Sequence, residues 1–169
     1  MAYNYSTNIE NEENIAKAAG LDMEISTKQT IEVCNAIKKK KVDDARKILE
    51  SAIDGSKPIK FRRFTGGAGH RKGIGSGKFP VKCCTGILRL LNQAAANASF
   101  KGLNPSNMII KALVPQKAGN RMHYGRQSRR KMKRTHLEII LEENKELKKT
   151  ESKKEPKKQT EKKQEVKKE

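Results

Sequence analysis

From Gly55 to Leu137, 83 consecutive residues, the chain has no aspartate and no glutamate. The same stretch carries nineteen lysines and arginines, which equals the formal net charge of the whole protein, +19. Residues 1–54 hold eight basic and ten acidic residues, and residues 138–169 hold eleven Lys and nine Glu, so the flanks cancel. A segment of this kind cannot neutralise itself and calls for an external polyanion. Nucleic acid is the usual one, because phosphates bind Lys and Arg and release condensed counterions. A membrane surface would want an amphipathic helix with large apolar residues opposite the charge, and the basic loops lack that pattern. The missing carboxylates also remove general bases, metal ligands and histidine orienters from the region, which argues against an enzyme.

Other absences narrow the class further. There is no Trp, and only three Tyr and four Phe. With 34% hydrophobic residues the core must be small, or part of the chain must lie outside it. No apolar run approaches the ~18 residues of a membrane span, so no membrane partner is expected. The first thirty residues are acidic and polar, without the apolar centre of a secretory leader. Three cysteines, Cys34, Cys83 and Cys84, cannot pair fully, and two are adjacent. They read as reduced thiols of a cytosolic protein. Cys83 and Cys84 fall on an apolar helix face, where packing explains them better than catalysis.

What is present points to one domain, residues 18–143, with extensions. Residues 1–17 read as a mobile or surface-hugging arm. "LDMEI" (Leu21 to Ile25) alternates apolar and acidic residues as a half-buried strand does. Ser26 and Gln29 have the spacing of a capping box, predicting a helix to about Lys40 with Ile31, Cys34 and Ile37 buried. A second helix follows, with Asp43 and Asp44 in its first turn. Its buried face is Val42, Ala45, Leu49, Ala52 and Ile53, and Asp54-Gly55 ends it. Residues 55–80, with two prolines, seven glycines and seven Lys/Arg, read as a basic loop. Pro80 starts the strongest helix, in which Cys84, Ile87, Leu88, Leu91, Ala94, Ala95 and Ala98 follow the helical rhythm to about Lys101-Gly102.

"MIIKALV" (Met108 to Val114) and "THLEIILEE" (Thr135 to Glu143) read as strands. The fold class is therefore α+β: a small antiparallel three-stranded sheet packed on three helices, with a long protruding β-hairpin. The hairpin would span residues 115–134, roughly 30 Å of reach at ~3.3 Å per residue. Residues 144–169 are Lys- and Glu-rich and nearly free of apolar side chains. They are expected to form a disordered tail.

Several motifs look chemical without the required spacing. "GIGSGKF" fails as a phosphate loop, since Lys72 stands where the first Gly belongs and Phe79 where a hydroxyl should follow Lys78. "GGAGHRKG" is not preceded by a buried strand, as a dinucleotide fingerprint would be. His70, His123 and His136 are far apart, with no Cys at ligand spacing. No cofactor and no metal are expected. The candidate nucleic-acid contacts are Lys60, Arg62, Arg63, His70, Arg71, Lys72 and Lys78 in the basic loop and Lys82 at the start of the third helix. In the hairpin they are Lys117, Arg121, His123, Tyr124, Arg126, Arg129, Arg130, Lys131, Lys133 and Arg134. Arg and Tyr124 are suited to stacking on bases.

Four collinear segments carry a resemblance. They are "IKFRRFTGGAGHRKG" (Ile59 to Gly73), "GKFPVK", "NASFKGLNPSNMII" (Asn97 to Ile110) and "KRTHLEIIL". Over residues 18–143 the chain resembles the ribosomal protein uL22 family (L22 in bacteria, L17 in eukaryotes), in its archaeal and eukaryotic branch. The resemblance implies a structural protein of the large ribosomal subunit, in the cytoplasm. Its domain would bind large-subunit rRNA near the peptide exit, beside other large-subunit proteins. Its hairpin would line the exit tunnel and meet the nascent polypeptide. The tip would be Arg126, Gln127, Ser128, Arg129 and Arg130, with Arg126 and Arg130 in the places of the family's basic tip residues. Gly125 and Arg129 depart from the Pro and Gly that many members carry there, and the descending arm is a few residues shorter. The alternative is a free-standing RNA-binding regulator, which would present a compact recognition surface rather than charged loops and a hairpin.

Overall fold

The computed structural model describes residues 3–7 and 13–143. The strand β1 (Ile15–Met23) leads into helices α1 (Thr27–Ile37) and α2 (Val42–Ile53). Three short strands follow, β2 (Ile59–Lys60), β3 (Gly69–Arg71) and β4 (Gly75–Lys78), then the 20-residue helix α3 (Val81–Phe100). Strand β5 (Met108–Lys117), the small pair β6 (Arg121–Met122) and β7 (Lys131–Met132), and β8 (Thr135–Glu143) complete the fold. The main sheet is antiparallel in the order β1-β8-β5. The expected α+β class, with three helices on a three-stranded antiparallel sheet, is what the structure has. The tail expected over 144–169 lies outside the described residues.

The core forms where the helical and strand periods meet. From β8 come Leu137, Ile139 and Leu141, all fully buried; from α3 come Cys84, Ile87, Leu91, Ala94 and Ala98. Leu90 and Cys83 join that face, whereas Leu88 is half-buried at its margin. Val42, Ala45, Leu49 and Ala52 bring α2 into the same cluster, with Ile53 packed at its edge.

Several local expectations are corrected. Strand β1 begins at Ile15, so residues 15–17 belong to the sheet rather than to the arm, and Ile15 and Ala16 are fully buried. The alternation of "LDMEI" is interrupted by a bulge between Gly20 and Met23, where Asp22 adopts φ 52° and Leu21 is left 58% exposed. A bulge of this kind inserts an unpaired residue and re-aims its side chains.

Ser26 stands at the N-terminal boundary of α1, but no capping box forms: Ser26 makes no side-chain cap bond, and Thr30 Oγ1 donates back to the Ser26 carbonyl at 3.0 Å. Thr30, Glu32 and Val33 join Cys34 and Ile37 on the buried side, whereas Ile31 is half-buried. The helix stops at Ile37 because Lys39 N–H donates to the Ile110 carbonyl and Ile110 N–H to the Lys40 carbonyl. The chain there pairs with β5 instead of continuing to coil.

The basic loop differs as well, because it folds into the sheet β2-β4-β3. Gly77 permits this: a Cβ there would lie 3.0 Å from Arg71 Cγ and 3.3 Å from Pro58 Cβ. Finally, β5 runs to Lys117, through Pro115, which an edge strand tolerates. The hairpin proper therefore starts at Ala118, whose N–H donates to the Arg134 carbonyl at 3.1 Å.

Candidate nucleic-acid interface

The basic loop is held by one carboxylate. Glu32 on α1 is 1% exposed. Its Oε1 accepts the N–H groups of Arg63 and Phe64 at 2.8 Å each, and its Oε2 that of Arg62 at 3.0 Å. Burial pushes this carboxyl up, but the three N–H donors and the Arg62 charge outweigh it and hold the group below the usual carboxylate range. Three consecutive amides are thus turned inward while the Arg62 and Arg63 side chains stay exposed. Arg63 lies over the Phe64 ring at 5.2 Å and Arg71 over the Phe79 ring at 5.2 Å. Lys78 donates to the Gly66 carbonyl at 2.8 Å and lies over Phe61, so it braces the loop. Lys60, His70, Lys72 and Lys82 are exposed.

In the hairpin, β6 and β7 pair Arg121 with Met132 and Met122 with Lys131. His123 N–H donates to the Arg130 carbonyl at 2.9 Å, and a 3-10 turn over Gly125–Gln127 forms the tip. Lys117, Arg126, Gln127, Ser128, Arg129, Arg130, Lys131 and Lys133 are all exposed, and Tyr124 is 87% exposed. His123 is half-buried. No described acidic side chain pairs with Arg126, Arg129, Arg130, Lys131 or Lys133.

The hairpin root is different. Arg121 pairs with Asp22 at 2.7 Å. Arg134, 14% exposed, donates to the Asp22 carbonyl at 3.1 Å and pairs with Glu24 at 3.0 Å. Arg134 therefore spends its guanidinium inside the protein and has the least of the hairpin cations to offer outward. Lys82 reaches Glu24 at 3.4 Å.

Sequence reasoning missed these acids. Asp22, Glu24 and Glu32 all precede the acid-free segment, and each is aimed into it. Glu138, 1% exposed, accepts from Tyr3 Oη at 2.8 Å, Ser6 Oγ at 2.7 Å and Gln116 Nε2 at 3.3 Å. It thereby ties down residues 3–6 as a surface-hugging arm. The available signal was placement: all ten acids of residues 1–54 precede a stretch that has none.

All three cysteines are buried and unpaired by disulfides. Burial pushes the Cys83 thiol up to about 11 and the Cys84 thiol up to about 12, and it raises Cys34 as well. These are packing residues. No helix among the described residues is long and apolar enough to cross a membrane.

Residues 18–142 match the family described as ribosomal protein L22p/L17e. "Large ribosomal subunit protein uL22" of Methanocaldococcus jannaschii is 38% identical over 141 residues, 79% of this chain and 90% of that protein. The protein of the same name from Archaeoglobus fulgidus is 38% identical over 117 residues, 68% of this chain and 76% of its own length. That of Staphylothermus marinus is 33% identical over 152 residues, 83% of this chain and 97% of its own. The exposed cations of the loop and hairpin lie within the matched span, and the chain belongs to the ribosomal protein L22p/L17e family.

Proposed function

We propose that the protein is a structural, non-enzymatic constituent of the large ribosomal subunit in the cytoplasm. It binds large-subunit rRNA through its basic loop and hairpin, beside neighbouring large-subunit proteins. Its compact domain sits near the peptide exit, and its hairpin lines the tunnel through which the nascent polypeptide leaves. One observation carries the reading: the fold spends Asp22, Glu24 and Glu32 on the roots of the two basic elements and leaves their outer cations without acidic partners among the described residues. Elements built this way are stable against RNA that surrounds them, where phosphates supply the missing charge. A free-standing regulator would present a compact groove-reading surface instead.

The test is sedimentation of the tagged full-length protein from cell extract through a sucrose gradient. Stoichiometric co-migration with the large subunit is expected. Migration at the top of the gradient, or with small RNAs alone, would overturn the assignment in favour of the regulator.

A further inference from the structure

An open cleft of about 450 Å³ lies between the hairpin root and the start of α1. That volume falls within the ~300–1,000 Å³ of ordinary ligand sites. Lys131, Met132 and Lys133 of the hairpin line it, and Ser26 and Gln29 of α1 line it as well, with Ile25 and Cys83 adding apolar surface. Three features give it a chemistry. Lys131 and Lys133 are exposed cations with no acidic partner among the described residues. The N-terminus of α1 has no side-chain cap, so its first-turn N–H groups and the Ser26 hydroxyl remain available to an anion. The Nε of Arg134, another residue of the cleft, is buried without a hydrogen-bond partner. Glu24 sits on the rim, but Lys82 and Arg134 already neutralise it. Cations and a helix N-terminus suit a phosphate. The half-buried Met132 thioether suits the flat face of a base, and Ser26 and Gln29 offer hydrogen bonds to a base edge or a 2′-hydroxyl.

We propose that this cleft holds one unstacked nucleotide of single-stranded RNA, with its phosphate toward Lys131, Lys133 and the α1 N-terminus and its base against Met132. The proposal rests on the reading that the partner is RNA, and it adds a defined nucleotide subsite to it. Stacked duplex RNA keeps its bases out of such a cleft, so the site selects for unpaired residues.

The test uses the full chain carrying ¹³C-methyl methionine, titrated separately with a single-stranded RNA tetranucleotide, its duplex form, adenosine monophosphate and inorganic phosphate. The tetranucleotide is expected to shift the Met132 methyl signal and to leave Met108, fully buried in the core, unmoved; the duplex should shift Met132 much less. The double variant Ser26→Ala/Gln29→Ala should weaken tetranucleotide binding about tenfold, the scale of one or two lost hydrogen bonds. An unmoved Met132 in a protein that still binds long rRNA overturns the subsite alone. Failure to bind any RNA sinks the functional reading with it. An equal Met132 shift with inorganic phosphate reduces the cleft to an ion site, and monophosphate binding as tight as the tetranucleotide removes RNA as the source. Either result overturns the proposal.

Discussion

Removing the Glu32 carboxylate should free the basic loop. The side chain takes three N–H bonds, from Arg62 at 3.0 Å and from Arg63 and Phe64 at 2.8 Å each. Hydrogen bonds to a charged group contribute roughly 1.5–3 kcal/mol each, and three on one carboxylate are not additive. The loop lies at the surface, so water replaces part of what is lost. Glu32→Ala should therefore cost about 3 kcal/mol, near the low end for breaking a buried charged network. Glu32→Gln keeps one oxygen, enough for Arg63 and Phe64, and turns an NH₂ against the Arg62 N–H; about 1.5–2 kcal/mol should go.

The pH dependence has a definite sign. Because the folded carboxyl titrates below its ordinary range, its stabilisation is fully present above the unfolded value of ~4.3. It fades as pH falls from there through the folded value, so the gap between wild type and Glu32→Gln should narrow only in acid. Urea denaturation of the full chain gives the stability. Amide exchange at residues 62–64 gives the local effect, and rRNA affinity gives the functional one. If Glu32→Ala matches wild type in both stability and amide protection at 62–64, the loop is not held by this residue and the reasoning fails.

Two further outcomes are expected. Replacing residues 120–133 by Asn-Gly should leave the domain folded. It removes one exposed ion pair, Arg121 with Asp22, worth about 0.2–1 kcal/mol, and the half-buried His123 and Met132; a chain that no longer unfolds cooperatively in urea would show the hairpin to be part of the core. Native protein at pH 8 should react with maleimide far more slowly than unfolded protein, because Cys34, Cys83 and Cys84 are buried and their thiolates disfavoured; rapid labelling of any of them in the native state would contradict their packing role.

Helix α3 and strand β8 were legible because each repeats its own signal: the apolar stripe from Cys84 to Ala98, and the alternation of Leu137, Ile139 and Leu141. The charge map was legible in part: most loop and hairpin cations are exposed where acids are lacking, but Asp22 and Glu24 draw Arg121 and Arg134 to the hairpin root. What was not legible depends on partners remote in sequence. Glu32 is buried because amides some thirty residues on donate to it, and Glu138 because Tyr3 and Ser6, more than 130 residues away, fold over it. Nothing local marks either glutamate as buried. The β1 bulge escaped because "LDMEI" carries a strand rhythm that the backbone at Asp22 breaks. The small sheet β2-β4-β3 escaped because Gly69, Gly75 and Gly77 read as loop residues, yet all three are paired in strands, and Gly77 sits where Arg71 and Pro58 crowd it.

The proposed function requires the hairpin to enter rRNA in the large subunit. Directed hydroxyl-radical probing tests it most directly, with iron-EDTA tethered through Ser128→Cys at the tip, the native thiols being buried. Subunits assembled with that protein should show rRNA cleavage along the wall of the peptide exit tunnel. Cleavage confined to the outer surface around the exit, or none, would contradict the account.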